Sequence, residues 1–211
     1  NGRRVWKRKP RGTCFGQQGR VRCVEGPAKG DRPSMVWASQ QDSAPETAVR
    51  VEDGFLRSRG LGADLIPPMS LVCDDLGIYY DPARASRLEQ LITARATLRP
   101  DQKKRAERLI ANLTRAGLSK YNLGQSAPQL PEGHRILVPG QVEDDASIVL
   151  GAGTVASNLE LLELTRQENP DAIILYKPHP DVEAGLREGA VPEDALTALA
   201  NQVLPQADPA T

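Results

Sequence analysis

An α/β fold with two open-sheet halves, both incomplete, joined by a helical hairpin is what the sequence predicts, on three observations. The first is Ala172-Ile173-Ile174-Leu175-Tyr176, a run of β-branched and bulky apolar residues without helical spacing that closes in Lys177-Pro178-His179-Pro180. It reads as a buried strand delivering a lysine and a histidine to its carboxyl end, the end at which open α/β sheets bind ligands. The second is Arg135-Ile136-Leu137-Val138, a strand that releases the carboxylate-rich loop Gln141-Val142-Glu143-Asp144-Asp145-Ala146-Ser147. The two loops are expected on one face. The third is Val49 to Ser58, where an apolar approach leads into Glu52-Asp53, Gly54 and Arg57.

Composition bounds the partners. The 211 residues suffice for one large domain or parts of two. Lys and Arg balance Asp and Glu at 27 each, so no global field recruits nucleic acid or a membrane. Aromatics are 4% of the chain, too few for base-stacking platforms, and no nucleic-acid partner is expected. The basic segment from Arg3 to Arg32 reads as a solvated edge or as a contact to an anionic lipid surface. Cys14, Cys23 and Cys73 are odd in number and lack zinc-knuckle spacing, which implies a reducing compartment. No apolar run is long enough to span a bilayer and no signal-peptide core opens the chain. The expectation is a cytoplasmic protein. Because the chain starts at Asn1 and ends just after a helical pattern, it reads as a fragment.

In chain order, residues 1–80 form the first partial sheet domain. Met35 to Ser39 resembles a short strand, Gln40 to Glu46 a polar turn, and Val49 to Val51 the next strand. Leu61 to Pro68 carries glycine and prolines that forbid a regular element, and suits a loop over a site. Ser70 to Cys73 and Gly77 to Tyr80 read as two strands around an Asp74-Asp75-Leu76 turn. The hairpin follows at 81–118. Asp81-Pro82 is taken as a helix start with Asp as N-cap, and Leu88, Leu91, Ile92 and Ala96 mark one face. A second helix after Pro100-Asp101 sets Ala106, Leu109, Ile110 and Leu113 against Lys103, Lys104, Arg105 and Arg108, and ends at Gly117. Residues 119–134 read as a linker. The second half, 135–211, is a βαβ unit whose helix is announced by the capping box Ser157-Asn158-Leu159-Glu160 and ends near Asn169-Pro170. Gly151-Ala152-Gly153 lacks the third glycine of a dinucleotide fingerprint. It is either an ordinary loop or a phosphate-binding one beside the helix start.

The chemistry these residues offer is acid, base and anion binding. His179 and Lys177, stiffened by flanking prolines, suit a phosphate or a leaving group. Asp144 and Asp145 offer a nucleophile, a base or metal ligands; no second histidine or Asp-x-Asp spacing accompanies them, so no metal and no cofactor is expected. Glu52 and Asp53 supply the second carboxylate that glycosyl transfer uses. Arg57 beside them suits an anionic sugar, since a guanidinium pairs a carboxylate bidentately.

Val51 to Ser58, Pro68 to Tyr80, Gln141 to Ser147 and Tyr176 to Val182, in that order, closely resemble the capsule polysaccharide biosynthesis proteins of the KpsC/LipA type. The resemblance implies a GT-B-like fold with two Rossmann-like halves. It implies a retaining β-Kdo glycosyltransferase that moves Kdo, an eight-carbon acidic sugar, from CMP-Kdo to a phosphatidylglycerol-linked Kdo acceptor in capsule linker synthesis. Such proteins act at the cytoplasmic face of the inner membrane, peripherally and beside the capsule assembly machinery. They are much longer, often with two modules in tandem, so this chain reads as a piece of one module. Mapped onto this sequence, Asp145 is the nucleophile with Asp144 its less favoured neighbour. Glu52, ahead of Asp53, is the acid/base, and His179 and Lys177 hold the CMP phosphate. Gln141, Ser147 and Arg57 contact donor or acceptor. The rival readings are a GT-B-like enzyme using another nucleotide sugar and a non-catalytic capsule assembly or export module.

Overall fold

The computed structural model describes residues 34–38, 45–61, 65–122 and 128–205. The basic amino-terminal segment with Cys14 and Cys23, most of the expected 40–46 turn, residues 62–64 of the Gly/Pro loop and 123–127 of the expected linker lie outside these. The chain divides after Asn122 into two compact units.

The first unit contains a three-stranded sheet in the order β1 (Met35–Trp37), β2 (Val49–Asp53) and β3 (Leu71–Asp74). β1 is parallel to β2, and β3 runs antiparallel with Val51 opposite Cys73 and Asp53 opposite Leu71. Ala48, Val51 and Ile78 are buried around it.

Two expectations are corrected here. Gly77 to Tyr80 is not a strand, and the first helix does not start at Asp81-Pro82. The cause of the first is Asp74, a buried carboxylate at the end of β3. Its Oδ1 accepts from the amides of Leu76 (2.9 Å) and Gly77 (2.8 Å), and its Oδ2 from that of Arg87 (2.8 Å). The chain therefore bends as it leaves the sheet. Gly77 then passes so close to the next segment that an added Cβ would lie 2.9 Å from the Ala85 carbonyl. Asp81 spends its Oδ1 on the amide of Ala83, two residues on, which makes a turn rather than a cap. The helix α1 (Arg87–Ala94) starts instead at Ser86, whose side chain accepts from the Glu89 amide while Glu89 reaches back to the Ser86 amide. Helix α2 (Pro100–Arg115) follows with proline in its first turn and Gly117 beyond its end at φ +58°.

The second unit is a parallel sheet in the order β4 (Arg135–Pro139), β5 (Ile173–Lys177), β6 (Gln202–Val203). Between the strands lie α3 (Ala146–Gly151), α4 (Asn158–Glu168), α5 (Pro180–Glu183) and α6 (Glu193–Leu199). β5 is central and buried along nearly its whole length, which is why its sequence is continuously apolar rather than alternating. Val138, Leu162, Ile174 and Tyr176 form the core, with Leu161 of α4 and Leu196 and Leu199 of α6 packed on it. α4 carries the expected capping box and ends with Asn169 as its C-cap. Arg166 fastens the far side: its guanidinium donates to the carbonyls of Ala172 and Leu199 and to Asn201 Oδ1, the atom that also accepts from the Ile174 amide. Among the described residues no helix is long and apolar enough to cross a membrane.

Asp74→Ala strips three backbone amides of their shared acceptor and should cost about 2–4 kcal/mol; Ser86→Ala, which removes only the cap, should cost about 1 kcal/mol. Urea unfolding followed by circular dichroism ranks the two, and equal losses would deny Asp74 its organising role. Cap amides, those at Ser86 for Glu89 and at Ala156 and Ser157 for Glu160, hold both carboxyls below their ordinary value of 4.5. Each cap therefore stabilises fully above pH 4.5 and fades as pH falls through the lowered folded value. Acid titration of Glu89→Gln and Glu160→Gln should show less loss of helix below pH 4.5 than the parent chain.

Candidate active-site loops

In the second unit the adjacent parallel strands β4 and β5 end in register, with Pro139 opposite Lys177. The acidic loop and the Lys-Pro-His turn thus leave the same sheet edge side by side, as their sequences led us to expect. Gly140 makes the junction: its amide donates to the Lys177 carbonyl at 2.7 Å, and a Cβ there would sit 2.6 Å from the Tyr176 hydroxyl. No side chain fits. Burial, with the nearby Glu143 charge adding to it, pushes the Tyr176 phenol up to about 12, so this hydroxyl stays protonated at neutral pH.

Beyond Gly140 the loop is held by a residue that the sequence offers only as part of a helix-capping box. Asn158, at the first position of α4, is buried. Its Oδ1 accepts from the Gln141 amide (2.8 Å), and its Nδ2 donates to the carbonyls of Gln141 (2.8 Å) and Gly189 (2.7 Å). Its own amide donates to Glu143 Oε1 at 2.7 Å, which places a carboxylate at a helix amino terminus, where the dipole favours it. Gly189, at φ +124°, approaches so closely that a Cβ would lie 2.6 Å from the Gln141 carbonyl.

The expected site residues of this unit fall into distinct settings. Gln141 is exposed, and its Nε2 turns back to the Pro139 carbonyl. Asp144 pairs with Arg187 at 2.8 Å, both partly exposed; Arg187 lies 43 residues away, too far for sequence spacing to suggest it. Asp145 is half-buried and caps α3: its Oδ1 accepts from the Ser147 amide (3.0 Å) and hydroxyl (2.7 Å). Lys177 is the last residue of β5 and is buried, with Nζ donating to the Pro178 carbonyl at 3.2 Å. His179 caps α5, its Nδ1 accepting from the Asp181 amide at 3.2 Å. In the neutral ring that acceptor role leaves the proton on Nε2. The Gly151-Ala152-Gly153 stretch forms the end of α3 and a turn with Gly153 at φ +62°.

In the first unit Glu52 and Asp53 close β2. Glu52 Oε1 accepts from the Asp53 amide at 2.9 Å. Asp53 Oδ2 pairs with Arg57 Nε at 2.8 Å, the side chains 18% and 4% exposed, so this pair is shielded from water. Arg57 also donates to Ser58 Oγ (2.8 Å) and to the Ile66 carbonyl (3.1 Å). Gly54 has no room for a Cβ against Ser70, to whose carbonyl its amide donates. The Gly-x-x-Arg spacing thus folds the strand end into a fixed loop. Arg57 holds Asp53 from within it.

A family model described as "Capsule polysaccharide biosynthesis protein" matches residues 30–130 and 123–204. The capsule polysaccharide modification protein LipA of Neisseria meningitidis serogroup A is 46% identical over 179 residues, 84% of this chain and 25% of LipA. The lipopolysaccharide-processing protein LpsZ of Rhizobium meliloti is 50% identical over 148 residues, 66% of this chain and 33% of LpsZ. The chain thus spans a quarter to a third of the length of these relatives. Among solved structures, Thermosulfurimonas dismutans KpsC, titled a beta Kdo 2,7 transferase, superposes with TM-score 0.69 at 32% identity, covering 95% of this chain and 64% of that one. A beta Kdo 2,4 transferase of the same organism's KpsC gives 0.62 at 31% identity, over 78% of this chain and 57% of that one.

Asn158→Ala leaves the Gln141 amide and two carbonyls without their partner and should destabilise the second unit by about 2–4 kcal/mol. Asn158→Asp keeps the acceptor but sets a carboxylate against two carbonyls and should not rescue it. Hydrogen exchange at the Gln141 amide reads this directly; parent-like protection in Asn158→Ala would mean the loop is held by other contacts.

Proposed function

The chain belongs to the capsule polysaccharide biosynthesis protein family, and on that premise we propose that it works in a retaining β-Kdo glycosyltransferase of GT-B-like fold built from two Rossmann-like halves. The donor in this reading is CMP-Kdo and the acceptor a phosphatidylglycerol-linked Kdo, used in capsule linker synthesis at the cytoplasmic face of the inner membrane. One observation carries it. Two loops bearing Asp145 and the Lys177/His179 pair leave neighbouring parallel strands at one sheet edge, in a chain whose 32%-identical structural neighbour is titled a β-Kdo transferase.

Asp145 takes the part of the nucleophile. Its carboxylate attacks the anomeric carbon, and the bond to CMP breaks with its electron pair leaving on the phosphate oxygen. A covalent glycosyl ester of inverted configuration remains. The acceptor hydroxyl then gives its proton to the base and displaces Asp145, and the second inversion restores the donor's configuration. Glu52 is assigned as that acid/base. Support for choosing it over Asp53 is that Asp53 Oδ2 is committed to Arg57 in a shielded ion pair. The Lys177 ammonium and the His179 Nε2–H are donors suited to the departing phosphate. Gln141 and Ser147 are assigned to donor or acceptor contacts, while Asp144 and Arg57 support their loops through the ion pairs they make.

Asp145→Asn is a clean probe, because asparagine caps helices as well as aspartate does while losing the nucleophilic charge. With CMP-Kdo generated in place and a Kdo-capped lipid-like acceptor, the full-length protein that contains this chain should form product. Asp145→Asn should lose at least about a thousandfold in rate and His179→Ala about a hundredfold. No product from the folded full-length protein, or equal product from all three proteins, would reject the assignment.

A further inference from the structure

Phenylalanine is rare in this chain, with two in 211 residues, and Phe55 is left 89% exposed. Slack in the chain is not the cause. The residues on either side of it are both tied to Ser70: the Gly54 amide donates to the Ser70 carbonyl at 2.8 Å, and the Ser70 hydroxyl donates to the Leu56 carbonyl at 2.7 Å. Two residues on, the Arg57 carbonyl accepts from the Met69 amide at 2.6 Å, while the Arg57 guanidinium is tied to Asp53 and to the Ile66 carbonyl. Met69 is itself 80% exposed and Leu65 60%. A single exposed apolar side chain is ordinary. An aromatic ring held out by a loop fixed on both sides, with further apolar side chains from the segment bonded to that loop, marks a surface that a ligand covers.

The position of the ring says which ligand. β2 ends in Glu52-Asp53, and Phe55 follows Glu52 by three residues, so their Cα atoms are at most about 10 Å apart. In the transfer reading the acceptor hydroxyl gives its proton to Glu52, and the sugar ring bearing that hydroxyl comes to rest beside this strand end. A pyranose has hydroxyls around its rim and C–H bonds across its faces. It is matched by a carboxylate and a flat apolar surface set close together, and the electron-rich face of an aromatic ring attracts the partly positive C–H bonds. An acyl chain is served as well by leucine as by a flat ring and has no use for a carboxylate beside it. We infer that Phe55 is an acceptor-binding residue, the platform on which the acceptor's terminal sugar stacks as its hydroxyl is presented to Glu52. The inference rests on the Kdo-transfer reading for its choice of ligand.

Kinetics of the full-length protein that contains this chain test it with two acceptors, the Kdo-capped lipid-like one and a water-soluble Kdo glycoside without an acyl chain. Phe55→Leu keeps an apolar side chain and removes the ring. It should raise KM by about three- to tenfold for both acceptors and leave KM for CMP-Kdo at the parent's value. Phe55→Tyr restores the ring and should restore the acceptor KM with it. Unchanged acceptor KM in Phe55→Leu, a rise shared by Phe55→Tyr, or a rise confined to the lipid-like acceptor would overturn the inference, the last by giving the ring to an acyl chain. Saturation-transfer NMR with the glycoside alone separates this inference from the reading beneath it. Transfer from aromatic protons to the sugar C–H protons, present in the parent and in Phe55→Tyr and weakened in Phe55→Leu, supports stacking even where the protein moves no Kdo, an outcome that sinks the transfer reading only. No such transfer in the parent overturns the inference itself.

Discussion

Asn158 stands where the first turn of α4 meets two loops, and its amide group and backbone N–H are committed to Gln141, Gly189 and Glu143. Loops that carry chemistry face a conflict, since they must leave the sheet to reach a substrate and yet be placed to within fractions of an ångström. A buried amide resolves it, because it satisfies a donor and two acceptors of the backbone that would otherwise have to turn to water. The glycines belong to the same constraint. Gly140 and Gly189 are where the backbone passes too close to Tyr176, Gln141 and Asn158 for any side chain. With these contacts in place the acidic loop has one path, and Asp145 at the start of α3 inherits its position from them.

The carboxylates divide according to what holds them. Asp74 is buried and spends both oxygens on backbone amides. Asp53 and Asp144 are matched to Arg57 and Arg187. Glu89 and Glu160 serve helix caps. Asp145 caps a helix of six residues, its Oδ1 accepting from the Ser147 amide and hydroxyl.

How much of this the sequence disclosed follows from the range of each interaction. β5 was legible because full burial leaves a continuous apolar run, α4 because Ser157 and Glu160 lie within one helical turn, and α2 because its stripe and its breakers are local. Gly77 to Tyr80 misled because its residue types suit a strand, while the buried Asp74 carboxylate bends the chain, taking the Leu76 and Gly77 amides and reaching forward to that of Arg87, 13 residues on. The Asp81-Pro82 start misled for a related reason. A local turn to Ala83 took the side chain first, and the better cap at Ser86 had the glutamate three residues on that completes its box. Arg187 and the Asn158–Gly189 contact join positions 43 and 31 residues apart, which periodicity cannot reach.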